Sequence, residues 1–389
     1  MTTNYRINGT DTDDLFIRKD LFTEGGLWLW GSNQGGQLGT NDIVHRSSPV
    51  QTVSGGTNWK QVSAGLTDPG HAAAIKTDGT LWLWGQNIFG IVFGGQLGTN
   101  DKIHRSSPVQ TVSGGTNWRQ VSCGTDFTAA IKTDGTLWLW GSNGGGQLGD
   151  NTSVSKSSPV QTIAAGTNWK QVSGSAAIKT DGTLWLWGSN ANGQLGDNSI
   201  TSRSSPVQTI AAGTNWKQVS GGKGILTAAI KTDGTLWLWG RNTDGQLGTN
   251  DIVHRSSPVQ TVSGGTDWKQ VNTNTTHIAA IKTDGTLWLW GKNTYGQLGD
   301  SSTTHRSSPV QTVSGGTIWK QVACGAEQTA AIKSDGTLWV WGYNVYGQLA
   351  DNTTVSKSSP VQTVSGGTNW KQVDSGAFSV ISIRGDYWA

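Results

Sequence analysis

The chain is poor in cysteine, methionine and charge. Cys123 and Cys324 are its only cysteines, too few for a disulfide framework or a structural zinc site. Methionine occurs once, and Asp, Glu, Lys and Arg make up 14% of the 389 residues, against roughly 25% in an average soluble domain. Helical bundles and coiled coils, rich in Ala, Glu, Lys and Leu, are excluded by that balance. No apolar run reaches the ~18 residues of a membrane helix, so no membrane insertion is expected. The first twenty residues are polar and no hydrophobic signal core follows them, so no secretory signal is expected. The net charge of +3 is too weak to imply nucleic-acid binding through bulk charge.

Glycine and tryptophan are abundant instead, at 56 and 22 residues. Glycine-rich chains can be disordered, but 22 indoles supply enough apolar area to build cores. The indoles fall into a repeat. Leu-Trp-(Leu/Val)-Trp-Gly begins at Leu27, Leu81, Leu137, Leu184, Leu236, Leu287 and Leu338, at spacings of 54, 56, 47, 52, 51 and 51. Each copy continues through Gly-Gln-Leu-(Gly/Ala), Ser-Ser-Pro-Val-Gln-Thr and Trp-(Lys/Arg)-Gln-Val. Ala-Ala-Ile-Lys-(Thr/Ser)-Asp-Gly-Thr then leads into the next copy.

Each unit reads as four short strands. Pro-Val-Gln-Thr-Val and Trp-Lys-Gln-Val alternate and are β-rich. Ala-Ala-Ile-Lys and Leu-Trp-Leu-Trp are joined through Asp-Gly, a strong hairpin signal. Seven such units predict an all-β, seven-bladed β-propeller of four-stranded antiparallel blades. The copy at Leu27 lacks its own Ala-Ala-Ile-Lys, and Phe378–Arg384 aligns with the missing strand. Ser379–Ile383 is therefore expected to pair with Leu27–Trp30, closing the ring through the N- and C-terminal strands. The expected division is a leader over 1–26 and a propeller over 27–389. The units resemble regulator-of-chromosome-condensation repeats, through Asp-Gly-Thr-Leu-Trp-Leu-Trp-Gly, Asn-x-x-Gly-Gln-Leu-Gly and Val-x-Cys-Gly before Thr-Ala-Ala-Ile. The resemblance spans roughly Leu27 to Arg384 and itself implies a seven-bladed propeller. It says less about function, which sits on grafted sites.

Strand alternation places the Thr-Asp-Gly and Ser-Gly-Gly-Thr turns on one face, here the bottom. The long loop before Ser-Ser-Pro and the loop after Trp-Lys-Gln-Val lie on the other, the top. The bottom turns are nearly identical, and the length changes are at the top. Copy two carries Ile88, Phe89, Gly90, Ile91, Val92 and Phe93 in a loop five residues longer than that of copy one. The nearby loop holding Leu66, Asp68 and Pro69 is also extended, whereas Gly174-Ser175 stands where four residues are missing. Loops on a rigid scaffold commonly carry function. Ile88, Phe89, Ile91, Val92, Phe93, Leu66 and Asp68 are thus the expected partner-binding residues. The competing reading has the apolar insert fold over its neighbours and fill a gap.

Nothing in the sequence assembles a catalytic centre, so no enzyme and no cofactor are expected. His45, His104, His254 and His305 recur once per copy rather than clustering, which argues against a shared metal. Gly-x-Ser-x-Gly, His-Glu-x-x-His and phosphate-loop motifs are missing. Glu24 and Glu327 are too scattered for a paired-carboxylate glycosidase. A basic residue precedes Ser-Ser-Pro in every copy, from Arg46 to Lys357. An aspartate near Gly-Gln-Leu accompanies each, so local compensation is expected rather than an anion site. The Gly-Trp-Arg-His-Thr cluster of the family's plant ultraviolet photoreceptors is not found, and the tryptophans are expected in cores. Arg384-Gly385-Asp386 matches an adhesion tripeptide but falls in the closing hairpin. Cys123 and Cys324 sit four copies apart and are expected as free, buried thiols.

Residues 4–16 weakly resemble the N-terminal segments of marine bacteriophage structural proteins. The expected function is accordingly a non-enzymatic interaction or scaffold propeller that binds a protein. A role as a virion or appendage component, with other virion proteins as partners, is the finer expectation, and a cytoplasmic or virion-associated location goes with it. The alternatives are a carbohydrate-binding, adhesin-like propeller and, by family resemblance, a guanine-nucleotide exchange factor for a small GTPase.

Overall fold

The computed structural model describes residues 25–385 except 90–92, 165, 212, 223 and 315–317. Those residues form seven four-stranded antiparallel sheets and one two-stranded ribbon. Blade two is typical. Its strands Trp59–Ala64, His71–Lys76, Leu81–Gly85 and Arg105–Gln110 lie in that order from the axis outward. Blades three to seven repeat the plan. The proline of each outer strand costs no central ladder bond at that edge position.

Blade one closes the ring as the sequence implies. Its inner strands, Trp370–Ser375 and Ser379–Arg384, come from the C-terminal end, and its outer strands, Gly26–Gly31 and Arg46–Gln51, from the N-terminal end. Leu27 pairs with Ile383 and Trp30 with Val380, in the expected register. Closure removes the exposed sheet edges that an open array would leave at blade one.

The cores lie between blades rather than within them. Leu81, Leu83 and Leu97 of blade two pack with Trp118, Val121, Cys123, Ala130 and Trp140 of blade three, and the other junctions copy this cluster. The second indole of each Leu-Trp-Leu-Trp is fully buried and tied to the preceding blade, as Trp140 Nε1 is to Gln96 O at 2.9 Å. An inner-strand glutamine stitches the same junction nearer the axis. Gln61 Nε2 donates to Val121 O, and its Oε1 accepts from Val121 N, both at 3.0 Å. Such two-way pairing satisfies a buried carboxamide and fixes the blade-to-blade offset.

The repeated loop motifs have equally local causes. Asn33 Oδ1 accepts from Leu38 N at 2.9 Å while its Nδ2 donates to Asp42 Oδ1 at 2.9 Å, so one buried side chain holds both ends of the long loop. In the hairpin, Gly79 has φ +80°, and a Cβ there would stand 2.1 Å from Thr116 O of the next blade. Only glycine meets both demands.

Candidate functional site

The two faces form as the strand order requires. At the bottom, Trp118 N donates to Gly79 O at 3.0 Å, joining a Ser-Gly-Gly loop to the preceding hairpin. There the repeats stay uniform. Thr80 holds Asp78 through its amide at 2.9 Å and its hydroxyl at 2.7 Å, and Trp82 Nε1 donates to Thr80 Oγ1 at 2.9 Å. These Thr80 bonds hold the Asp78 carboxyl below the usual range. Lys76 Nζ stands 4.8 and 4.7 Å from the Trp59 and Trp82 rings, and five other lysines repeat that stacking. In blade one Arg384 takes the place, 5.0 Å from Trp370, with Nε donating to Asn369 at 2.9 Å. The Arg of the Arg-Gly-Asp tripeptide is thus committed to the closing hairpin; Asp386 lies outside the described residues.

At the top, the basic residues before Ser-Ser-Pro pair locally, as expected. Arg46–Asp42, Arg105–Asp101, Arg203–Asp197, Arg255–Asp251, Arg306–Asp300 and Lys357–Asp351 lie between 2.5 and 3.8 Å. His45, His104 and His254 accept from backbone amides through Nδ1 at 2.9–3.0 Å, pinning the same loops. Among the described residues no group of three or more His, Cys, Asp or Glu could hold a metal ion.

Against that regular ground the top face carries three departures from the repeat. The first is the insert in blade two, which forms a ribbon rather than a plain loop: Ile88 pairs with Gly94 and Phe89 with Phe93. Ile88 is half-buried, and Ile91 and Val92 lie outside the described residues. The adjoining loop shares this side, since Gln86 N donates to Gly70 O at 2.8 Å. Leu66 and Asp68 are half-buried. Asp68 accepts from Ser32 Oγ at 2.8 Å and Gln37 Nε2 at 3.1 Å, so its carboxylate clamps blade two to blade one.

The second is an aromatic patch spanning blades six, seven and one. Tyr343 stands 4.6 Å from Tyr295 and 5.4 Å from Phe378, and Tyr346 lies 5.6 Å from Phe378 and 5.0 Å from His45. Burial in this patch pushes the Tyr343 phenol above its ordinary value. Beside it, Glu327 accepts from Lys292 Nζ at 2.7 Å and from Gln297 Nε2 at 2.5 Å. The third is a cavity of about 400 Å³ where the loop at Gly174-Ser175 is short, lined by residues of blades three, four and five that include Asp126, Phe127, Trp187 and Ile225. Asp126 is buried there, its Oδ1 finds no hydrogen-bond partner among the described residues, and burial pushes its carboxyl up to about 6.

The aromatic patch and the Asp126 cavity were missed in the sequence, although a signal was present. Tyr343 stands where Ser32, Ser142 and Ser189 stand in other copies, and Tyr346 where Gly35 and Gly145 stand. Aligning the copies position by position, rather than by length alone, finds both tyrosines.

A ring of interlocked blades with one uniform face and one face of divergent loops defines a β-propeller that presents a surface on a repeated scaffold. The chain belongs to the RCC1-like domain family, whose model matches residues 20–314, and two further matches to the regulator of chromosome condensation (RCC1) repeat cover 319–348 and 335–383. It is 33% identical over 338 residues to the ultraviolet-B receptor UVR8 of Arabidopsis thaliana, covering 86% of this chain and 64% of the receptor. It is 29% identical over 354 residues to the human E3 ubiquitin-protein ligase HERC2, covering 88% of this chain but 6% of the ligase. The chain therefore spans less than two thirds of these relatives' own length. Among solved structures, yeast RCC1 (Prp20) bound to Kap60 superposes with a TM-score of 0.81 at 16% identity, covering 100% of this chain and 95% of that one. Human WBSCR16 superposes with a TM-score of 0.79 at 20% identity, covering 93% and 99%. At those identities the superpositions speak for the fold. The resemblance to bacteriophage proteins rests on residues outside the described ones, and nothing in these comparisons supports it.

Proposed function

We propose that the chain is a non-enzymatic interaction propeller whose top face binds a protein partner. One observation carries this reading: in a chain of near-identical repeats, the departures gather on one face. The insert Ile88, Phe89, Ile91, Val92 and Phe93, with Leu66 and Asp68 beside it, supplies one edge of the binding surface. The tyrosines at 295, 343 and 346 supply another. Tyrosine suits an interface because it offers a broad apolar ring with a polar tip. The solved yeast relatives lend support, since Prp20 was solved bound to Kap60 and has binding properties toward Gsp1p and histones. A carbohydrate-binding role draws less support, because the paired indoles are spent on cores and on stacked lysines. A virion or appendage role would rest on the leader, residues 1–26, as a segment separate from the propeller over 27–389.

The test is affinity capture from source material with three baits. These are the full chain, a chain whose 88–93 insert is replaced by the short loop of copy one, and a Tyr343→Ala/Tyr346→Ala chain. A protein held by the full chain and released by either change supports the reading. A protein held equally by all three, or turnover of a substrate by the isolated chain, overturns it.

A further inference from the structure

The seven inner strands surround an axial channel of about 330 Å³. The residue after each inner-strand tryptophan lines it, one from every blade: Lys60, Arg119, Lys170, Lys217, Lys269, Lys320 and Lys371. Each inner strand begins at the bottom, so all seven cations stand at the bottom mouth of the channel. Among the described residues that line it the one carboxylate is Asp374, toward the opposite end, where its Oδ2 accepts from Ala64 N at 3.1 Å.

From this geometry we infer that the bottom mouth of the channel is a binding site for a compact polyphosphate. Three observations carry it. The cations are set on a rigid wall, because the glutamine next in six of the seven strands stitches that strand to its neighbour; Arg119 is further fixed by donating to Trp169 O at 2.8 Å. Convergent like charges on a rigid wall raise the local potential and focus it into the cleft. The wider face adds to this field: each blade brings a second cation, Lys76 or its equivalent, and the described carboxylates set against these are one hairpin aspartate in six blades and Asp267, 3.2 Å from Lys282. Finally, a ring of this charge calls for an anion carrying several charges in a small volume. Phosphates meet that need, with three or more acceptor oxygens on each centre for ammonium and guanidinium donors.

The experiment titrates the full chain, at low ionic strength, with sodium tripolyphosphate and with inositol hexakisphosphate, by calorimetry and by thermal unfolding. Sodium sulfate at matched ionic strength is the reference. One ligand per chain and a melting temperature that climbs with ligand concentration are expected. Lys217→Gln/Lys320→Gln weakens binding by about tenfold, Lys217→Arg/Lys320→Arg restores it, and Arg203→Gln on the top face leaves it unchanged. A ligand-free melting transition of the glutamine pair matching that of the native chain shows that it folds. Failure of both phosphates to bind beyond sulfate overturns the site. An equal loss in Arg203→Gln overturns its location, and tighter binding of a poly-glutamate peptide than of either phosphate overturns the ligand class. Retention of the protein partner by the Lys217→Gln/Lys320→Gln chain keeps this outcome separate from that of the top-face reading.

Discussion

The top and bottom faces are built from the same repeats yet use charge and aromatic side chains in opposite ways. At the bottom, six blades present the same stacked Lys–Trp–Trp unit and the same Asp–Thr hairpin, Arg384 stands for the lysine in blade one, and every blade adds one further cation at the channel mouth. At the top, six of the seven repeated Arg and Lys residues pair with an aspartate, and the loops differ. Positive charge therefore accumulates on the uniform face and cancels on the variable one, which the net +3 of the whole chain conceals. Uniformity multiplies a weak local feature by seven around an axis. Divergence makes individual places that occur once. A ring suits a ligand of matching symmetry or high charge, and a patch suits a particular partner surface.

The comparison can be broken by perturbing what the two faces share. Trp140 is fully buried at the junction of blades two and three, so Trp140→Ala should cost about 3–5 kcal/mol. Urea unfolding would show this, and a cost below 1 kcal/mol would mean that the blades do not depend on their junction cores. A smaller and pH-dependent effect is expected at the top. Asp126 is held near 6, above the ordinary carboxylate value of 3.8. The folded state therefore retains a proton that the unfolded chain has released, and stability falls as pH rises from about 4 to 6. Asp126→Asn removes that penalty. Its melting temperature should exceed that of the native chain at pH 7, by an amount worth at most about 3 kcal/mol, and the gain should vanish near pH 4. A gain that is flat with pH would place the carboxylate in a solvated setting. The smallest effect belongs to one bottom unit: Lys132→Ala removes a cation 4.9 and 4.5 Å from two indoles. It should cost about 0.5–1 kcal/mol, with top-face binding unaltered; loss of the partner would show that the faces are coupled.

Much of the fold was legible because its causes are local and repeated seven times. Asp-Gly marks each hairpin, Asn-x-x-Gly-Gln-Leu marks a loop held by one buried carboxamide, and the strand missing from the first copy reappears at Ser379–Arg384. The free, buried state of Cys123 and Cys324 followed from their separation around the ring, and burial holds the Cys324 thiol well above its ordinary value. Local pairing of Arg46 with Asp42 was likewise readable, since four residues separate them in a single loop.

The candidate sites were less legible because they join residues far apart in the chain. Tyr295, Tyr343 and Phe378 meet across three blades, and the Asp126 cavity opens only because a loop one blade away is short. Lys60 and Lys371 stand more than three hundred positions apart and share a channel mouth only once the ring has closed. By itself the sequence determined the repeat, the strand order and the two kinds of face, because each depends on hydrogen bonds and turn chemistry within a few residues, and it marked the closure because the strand missing from the first copy stands at the far end of the chain. Only the tertiary structure decided which side chains converge. Convergence depends on the curvature summed over seven junctions, and no single repeat contains that quantity.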